Sequence, residues 1–197
     1  MSAIIDSQLV KQLREMTNAG MMECKRALEE AKGSLEEAEV ILRKKLGLIA
    51  GKKAGRDAKE GVIASYIHLG GKVGVLIEVN CETDFVAKND NFREFVKDIT
   101  LQIAAAHPLY LSREDVPADL ISKEREIAAA QVTGKPENVI QKIVDGKIDK
   151  YYANICLLEQ PFIKDQNKTI LQLLNEKIGE IGENMRIKRF ARFAVGE

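Results

Sequence analysis

With 197 residues, 45% of them hydrophobic and 30% charged, the chain is long enough for one sizeable domain, or for one domain plus a small appendage, and too apolar to be mostly disordered. Thirty basic residues balance thirty acidic ones, so no basic surplus points to a phosphate backbone as the main partner, although a local patch fits that balance. No apolar run reaches the roughly 18 residues of a membrane span, no basic stretch precedes an apolar core at the N-terminus, and Cys24, Cys81 and Cys156 are widely spaced without a CxxC pair. These features predict a cytoplasmic chain with reduced thiols, and neither a disulfide framework nor a structural zinc site.

Residues 1–46 read as a three-helix unit. Leu9, Val10, Leu13 and Met16 form one apolar stripe, Met22, Leu28 and Ala31 a second, and Leu35, Ala38, Leu42 and Leu46 a third. Thr17, Asn18 and Gly20 mark the first turn and Gly33 the second. Ser34 with Glu37 forms a capping box for the third helix, and Gly47 is expected to close it. Met21 and Met22 are adjacent, and neighbouring helix positions face different ways, so both do not fit one small core. At least one is expected at the surface, where methionine suits an adaptable binding face; gap-filling in the core stays open for either. Residues 47–61 are glycine-rich and locally basic, with Lys52, Lys53, Arg56 and Lys59, and read as a solvated linker. The fragment around Gly51 and Lys52 lacks the spacing and the hydroxyl of a phosphate loop.

Residues 62–197 read as an α+β core. VIASYIHL, Val62 to Leu69, is strand-like, and Gly70 with Gly71 suits a tight hairpin. Val73, Val75, Ile77 and Val79 then alternate with Lys72, Gly74, Leu76, Glu78 and Asn80 as a half-buried strand. The alternation stops at Cys81 and Glu82, and Thr83, Asp84, Phe85 and Val86 read as a cap and a helix start. Two readings of Phe85 remain: an anchor presented to a partner, or a ring folded back under the sheet. Composition favours the second, because large apolar residues are usually buried. A helix with Phe92, Phe95, Val96, Ile99 and Ile103 on one stripe is expected to cover the sheet and end before Pro108. Residues 109–150 are polar and helical in character, with starts at Ser112/Asp115 and Pro117 and a break at Gly134 and Pro136. A helix is expected from Ile148 to near Pro161, and another over Thr169 to Ile181. A last strand carries Met185, Ile187, Phe190, Phe193 and Val195 among Arg186, Lys188, Arg189 and Arg192. Its arginines suit an edge strand guarded by charge better than a nucleic-acid patch.

Chemistry is scarce. His68 and His107 have no ligand partners at useful spacing, and no GxSxG, HExxH, dinucleotide fingerprint or complete phosphate loop is present. An interaction protein is favoured over an enzyme. An RNA-binding protein using the basic residues and a tethering adaptor using Met21 and Met22 are the competing readings.

The stretches LREMTNAGMMECKRAL, AKEGVI, GVLIEVNCETDFVAKN, QPFIKD and RFARFAVGE, in that order, resemble the bacterial and organellar elongation factor Ts family over essentially the whole chain. The spacing between CETDFVAKN and QPFIKD resembles its short members, which lack the duplicated core half and extra helical hairpin and use a homodimer to supply the missing half. Asn18 and Glu23 stand where glycine and aspartate are commoner in that family. The resemblance implies a guanine nucleotide exchange factor for elongation factor Tu, with no reaction and no cofactor of its own. GDP, GTP and Mg2+ belong to the partner. It further implies a ubiquitin-associated-like module at residues 1–46 and a dimerising core at 62–197. Arg14, Met21 and Met22 match docking residues for the nucleotide-binding domain of Tu, and Thr83, Asp84, Phe85 and Val86 match the segment that dislodges Mg2+. A two-to-two complex is expected, with no direct nucleic-acid or membrane contact. The family thus reverses the compositional reading of Phe85. No cysteine lies between Arg186 and Glu197, so a covalent dimer through the last strand is not expected.

Overall fold

The computed structural model describes residues 5–17, 19–132 and 134–197. Asn18, assigned above to the first turn, lies outside them. In chain order the elements are α1 (Ser7–Thr17), α2 (Met21–Glu30), α3 (Leu35–Lys53), β1 (Glu60–Ile67), β2 (Val73–Cys81), α4 (Asp84–Ala87), α5 (Asp90–Ala106), α6 (Ala118–Ala130), α7 (Glu137–Ile155), β3 (Pro161–Phe162), β4 (Asp165–Thr169), α8 (Ile170–Ile181) and β5 (Met185–Ala194). The fold is mixed α+β, with N-terminal helices followed by a three-stranded antiparallel sheet in the order β1-β2-β5. A small antiparallel pair, β3-β4, stands apart from it.

The chain divides into two compact units. The first comprises Met1–Val62, Val79–Phe95 and Gln172–Arg186; the second comprises Ile63–Glu78, Val96–Leu171 and Ile187–Glu197.

In the first unit, α1, α2 and α3 bury Val10, Leu13, Cys24, Ala27, Leu28, Ala38 and Leu42 in one cluster. Ser34 caps α3, its hydroxyl accepting from the Glu37 amide at 3.3 Å. Gly47 does not close that helix, which runs on to Lys53. A mid-helix glycine costs about 1 kcal/mol against alanine. Leu46 and Ala50, both buried, lie on the continuing face and offset that cost. Leu46 sits so close to Gly179 of α8 that a Cβ there would meet its Cδ2 at 2.3 Å. The linker expected from residue 47 is therefore helical in its first part. Met16, placed in the α1 stripe, is exposed.

In the second unit, the β1-β2 hairpin turns at Gly70 (φ 88°) and Gly71 (φ 67°), the positive angles that glycine adopts without a Cβ penalty. Val96, Ile99 and Ile103 of α5 are buried, and Arg192 of β5 donates to the Ala104 carbonyl at 3.5 Å, so this end of α5 lies against the sheet. Helices α6 and α7 pack on each other through Ala128, Val144 and Ile148. The helix expected up to Pro161 ends instead at Ile155, and Cys156 is extended. Backbone partners explain the stop. The Ile155 carbonyl accepts from the amides of Leu109 and Tyr110. Buried Gln102 donates to Gln160 Oε1 and to the Pro161 carbonyl and accepts from the Ile163 amide at 2.8 Å, satisfying an extended turn that a helix would have closed on itself.

Candidate functional site

Strand β2 buries Val75, Ile77, Val79 and Cys81, and this alternation fixes its register against the core. The close pairing of β1 with β2 depends on Gly61, at φ 145°, where a Cβ would meet the Val79 carbonyl at 2.2 Å. The strand therefore delivers Glu82 and Thr83 in a defined direction.

Thr83 is extended, and its hydroxyl accepts from the Val86 amide at 3.4 Å, capping the single turn of α4. That same hydroxyl donates to Glu183 Oε1 at 2.7 Å, and the Thr83 amide donates to Glu183 Oε2 at 3.0 Å. One carboxylate thus holds the residue by two donors. Glu82 reciprocates, accepting the Asn184 amide at 2.6 Å, with Arg56 Nη1 at 3.6 Å. Asn184 in turn donates to the Arg56 carbonyl at 2.7 Å. The Thr83 carbonyl accepts from the Cys81 thiol at 3.2 Å and from the Ala87 amide at 3.2 Å. Burial, and then the neighbouring Glu183 carboxylate, push that thiol up to about 11, so it remains a protonated donor at neutral pH.

Onto this tethered base the turn places Phe85, 81% exposed. Asp84 is exposed beside it and paired with Lys88 at 2.7 Å, whose hydrogen bond holds the Asp84 carboxyl below its ordinary range. Val86 is half-buried and Ala87 is buried, so the turn is rooted by its last residues while the ring points to solvent. The compositional expectation that Phe85 folds back under the sheet is wrong. Val86 and Ala87 occupy the inward side of this single turn, which leaves the Phe85 position facing out.

On the helical module, Arg14 is exposed and Met21 and Met22 are 59% and 60% exposed, so neither methionine fills the core. Helix α2 begins at Met21, and Cys24, Ala27 and Leu28 supply its buried face. Arg14, Met21, Met22 and Thr83–Val86 all belong to the first compact unit. Among the described residues, no cluster of three or more His, Cys, Asp or Glu suits a metal, and no helix is long and apolar enough to cross a membrane.

The family profile described as "Elongation factor TS" matches residues 3–197. The chain belongs to that family. Relatives named elongation factor Ts include one from Geobacter sulfurreducens, 60% identical over 195 residues, covering 98% of this chain and 90% of the relative. One from Carboxydothermus hydrogenoformans is 59% identical over 196 residues, with the same coverages. One from Thermotoga petrophila is 53% identical over 193 residues, covering 98% of this chain and 97% of its own length. The family acts in translation elongation as a nucleotide exchange factor for elongation factor Tu, rather than as a catalyst of a chemical reaction. The sequence names Glu82 only as the end of the alternation and gives no role to Glu183 or Asn184. Only the carboxylate beside the TDFV stretch hinted at the first, and no spacing rule joins the second to it.

Proposed function

We propose that this chain accelerates GDP release from elongation factor Tu by inserting Phe85 into the partner while Thr83–Val86 disturb its Mg2+ and phosphate site. The observation that carries the reading is the exposed phenylalanine on a turn whose base is held by a two-point carboxylate contact. A large apolar ring held out on an ordered base suits a partner anchor, since full burial of such a side chain is worth roughly 1.5–3 kcal/mol, about tenfold to more than a hundredfold in an equilibrium constant. Exchange requires that nucleotide-free Tu be bound more tightly than nucleotide-bound Tu, because equal affinity shifts nothing. Linkage makes the effect reciprocal, so the bound factor weakens nucleotide by the same ratio. Mg2+ neutralises phosphate charge, and moving its ligands leaves the phosphates poorly compensated.

In this reading α1 to α3 form the ubiquitin-associated-like docking module, with Arg14, Met21 and Met22 against the nucleotide-binding domain of Tu. The exposed methionines support it, as thioether side chains adapt to a partner surface. The chain holds no cofactor of its own, contacts neither nucleic acid nor membrane, and works in the cytoplasm. It pairs with a second copy, giving a two-to-two complex. The outer face of the second unit's sheet supports pairing: Ile63, Ile67 and Leu76 are all exposed, and an apolar hollow is lined by Ile63, Leu76 and Phe190 with the Glu78–Arg189 ion pair at its edge.

Release of fluorescent GDP from Tu, with and without Mg2+, tests the mechanism. The acceleration given by the chain should be large with Mg2+ and should shrink once a chelator has removed the ion. An acceleration unchanged by chelation contradicts the magnesium route. Leu76→Glu, expected to give monomers in sedimentation, tests the pairing.

A further inference from the structure

Phe85 reaches solvent from a helix of one turn, Asp84–Ala87, too short to hold a direction by its own hydrogen bonds. Its direction comes from its two ends, the half-buried Val86 with the buried Ala87 and the contacts that anchor Thr83. Three backbone and side-chain groups of that residue are engaged: the amide and the hydroxyl by Glu183, and the carbonyl by the Cys81 thiol and the Ala87 amide. Glu183 follows Gly182, which ends α8 at φ 85° with its amide on the Ile178 carbonyl, while Lys53 donates to the Gly182 carbonyl. The carboxylate is therefore set by the ends of α3 and α8 rather than by the strand it serves. The Glu82–Asn184 bond runs the opposite way between the same two segments, so each strand end accepts a main-chain amide of the other.

We propose that Glu183 is a positioning residue of the exchange function: its carboxylate, accepting from both the amide and the hydroxyl of Thr83, fixes the direction in which Phe85 leaves the chain. This rests on the reading of Thr83–Val86 as the acting segment. Charge-assisted hydrogen bonds are short and strong, and a carboxylate takes two donors at once where a carboxamide offers one acceptor oxygen. With Glu183 gone, the Thr83 hydroxyl is released to rotate, and the Val86 amide loses a firmly placed acceptor. Glu183 lies outside the exposed TDFV turn, so its effect is expected in the rate at saturation, not in docking.

The test compares wild type, Glu183→Ala, Glu183→Gln, Thr83→Val and the Glu183→Ala/Thr83→Val double variant in full-length chain. Each is measured for GDP release from Tu across factor concentrations, for melting temperature, and for amide hydrogen exchange at Thr83 and Val86. Glu183→Ala is expected to lower the saturating rate about tenfold or more, the loss due to hydrogen bonds to a charged group, with the half-saturating concentration within about threefold. Amide exchange at Thr83 and Val86 should rise in the free chain. Glu183→Gln should be slower than wild type by more than about twofold and faster than Glu183→Ala, and the double variant should be no slower than the slower single one, because the two side chains act through one contact. A Glu183→Gln chain that melts as wild type does and keeps its saturating rate within twofold overturns the proposal, and so does unchanged amide exchange in Glu183→Ala. Phe85→Ala separates the two readings. If it slows exchange while Glu183→Ala does not, only the positioning role falls. If Phe85→Ala exchanges at the full rate, the acting-segment reading falls and the positioning role with it.

Discussion

Phe85 and Phe92 flank one short turn, yet the first is 81% exposed and the second is fully buried. Residue chemistry does not separate them. Phe92 shares a stripe with Phe95, Val96, Ile99 and Ile103 along α5, so its burial is cooperative with that of a long amphipathic helix. Phe85 belongs to a turn whose preceding residue is tied to Glu183 and whose last residues are half-buried or buried, leaving its ring, beside the Asp84 carboxylate, facing out. An exposed aromatic ring on an ordered base is open to a partner, while a ring in a stripe belongs to the core.

This contrast is sharpest in stability measurements. Phe92→Ala is expected to lose about 3–5 kcal/mol in urea unfolding, as deep aromatic truncations do. Phe85→Ala should change stability by less than about 0.5 kcal/mol, as surface changes usually do. Comparable losses in the two variants would remove the distinction. Gly61→Ala attacks the base of the Phe85 turn, since its Cβ would collide with the β2 backbone just before Glu82. A loss of about 1–3 kcal/mol is expected for the strained position, together with slower exchange. A silent Gly61→Ala would show that the strand pairing does not aim the turn.

Alkaline titration probes the thiol beneath the turn. Cys81 is raised to about 11 from an ordinary value near 9, so above about pH 9 the unfolded chain loses a proton that the folded chain keeps. The contribution is fully present below that pH and disappears as pH rises through about 11. Cys156, raised to about 11 mainly by burial, adds to the same decline. In Cys81→Ala the fall in unfolding free energy over this range should be shallower than in wild type; an equal slope would contradict the assignment. The smallest stability effect is expected from Met21→Ala. Stability should stay within about 0.5 kcal/mol while the factor concentration needed for half-maximal GDP release rises several-fold. An unchanged concentration dependence would remove Met21 from the docking face.

Where hydrophobic period and turn chemistry agreed, the sequence was readable: the α5 stripe, the Gly70–Gly71 hairpin, the Ser34 and Thr83 caps and the α8 helix all follow from local pattern. The end of α3 was not readable, because Gly47 is a proper stop signal overridden by the burial of Leu46 and Ala50. The β3-β4 pair was missed for a related reason. Buried Gln102 and Gln160 create an extended turn through contacts between residues far apart in sequence, which no local window contains. At the candidate site, the TDFV turn was visible as a break in alternation. The direction of Phe85 was not, since the carboxylate that anchors Thr83 comes from Glu183, four helices further along the chain.

The measurement that bears most directly on the exposed ring is GDP release from elongation factor Tu in the presence of Mg2+, driven by wild-type chain and by Phe85→Ala of matched melting temperature. Loss of about tenfold or more of the acceleration in Phe85→Ala is predicted from the burial energy of the ring. Full acceleration by a well-folded Phe85→Ala would contradict it.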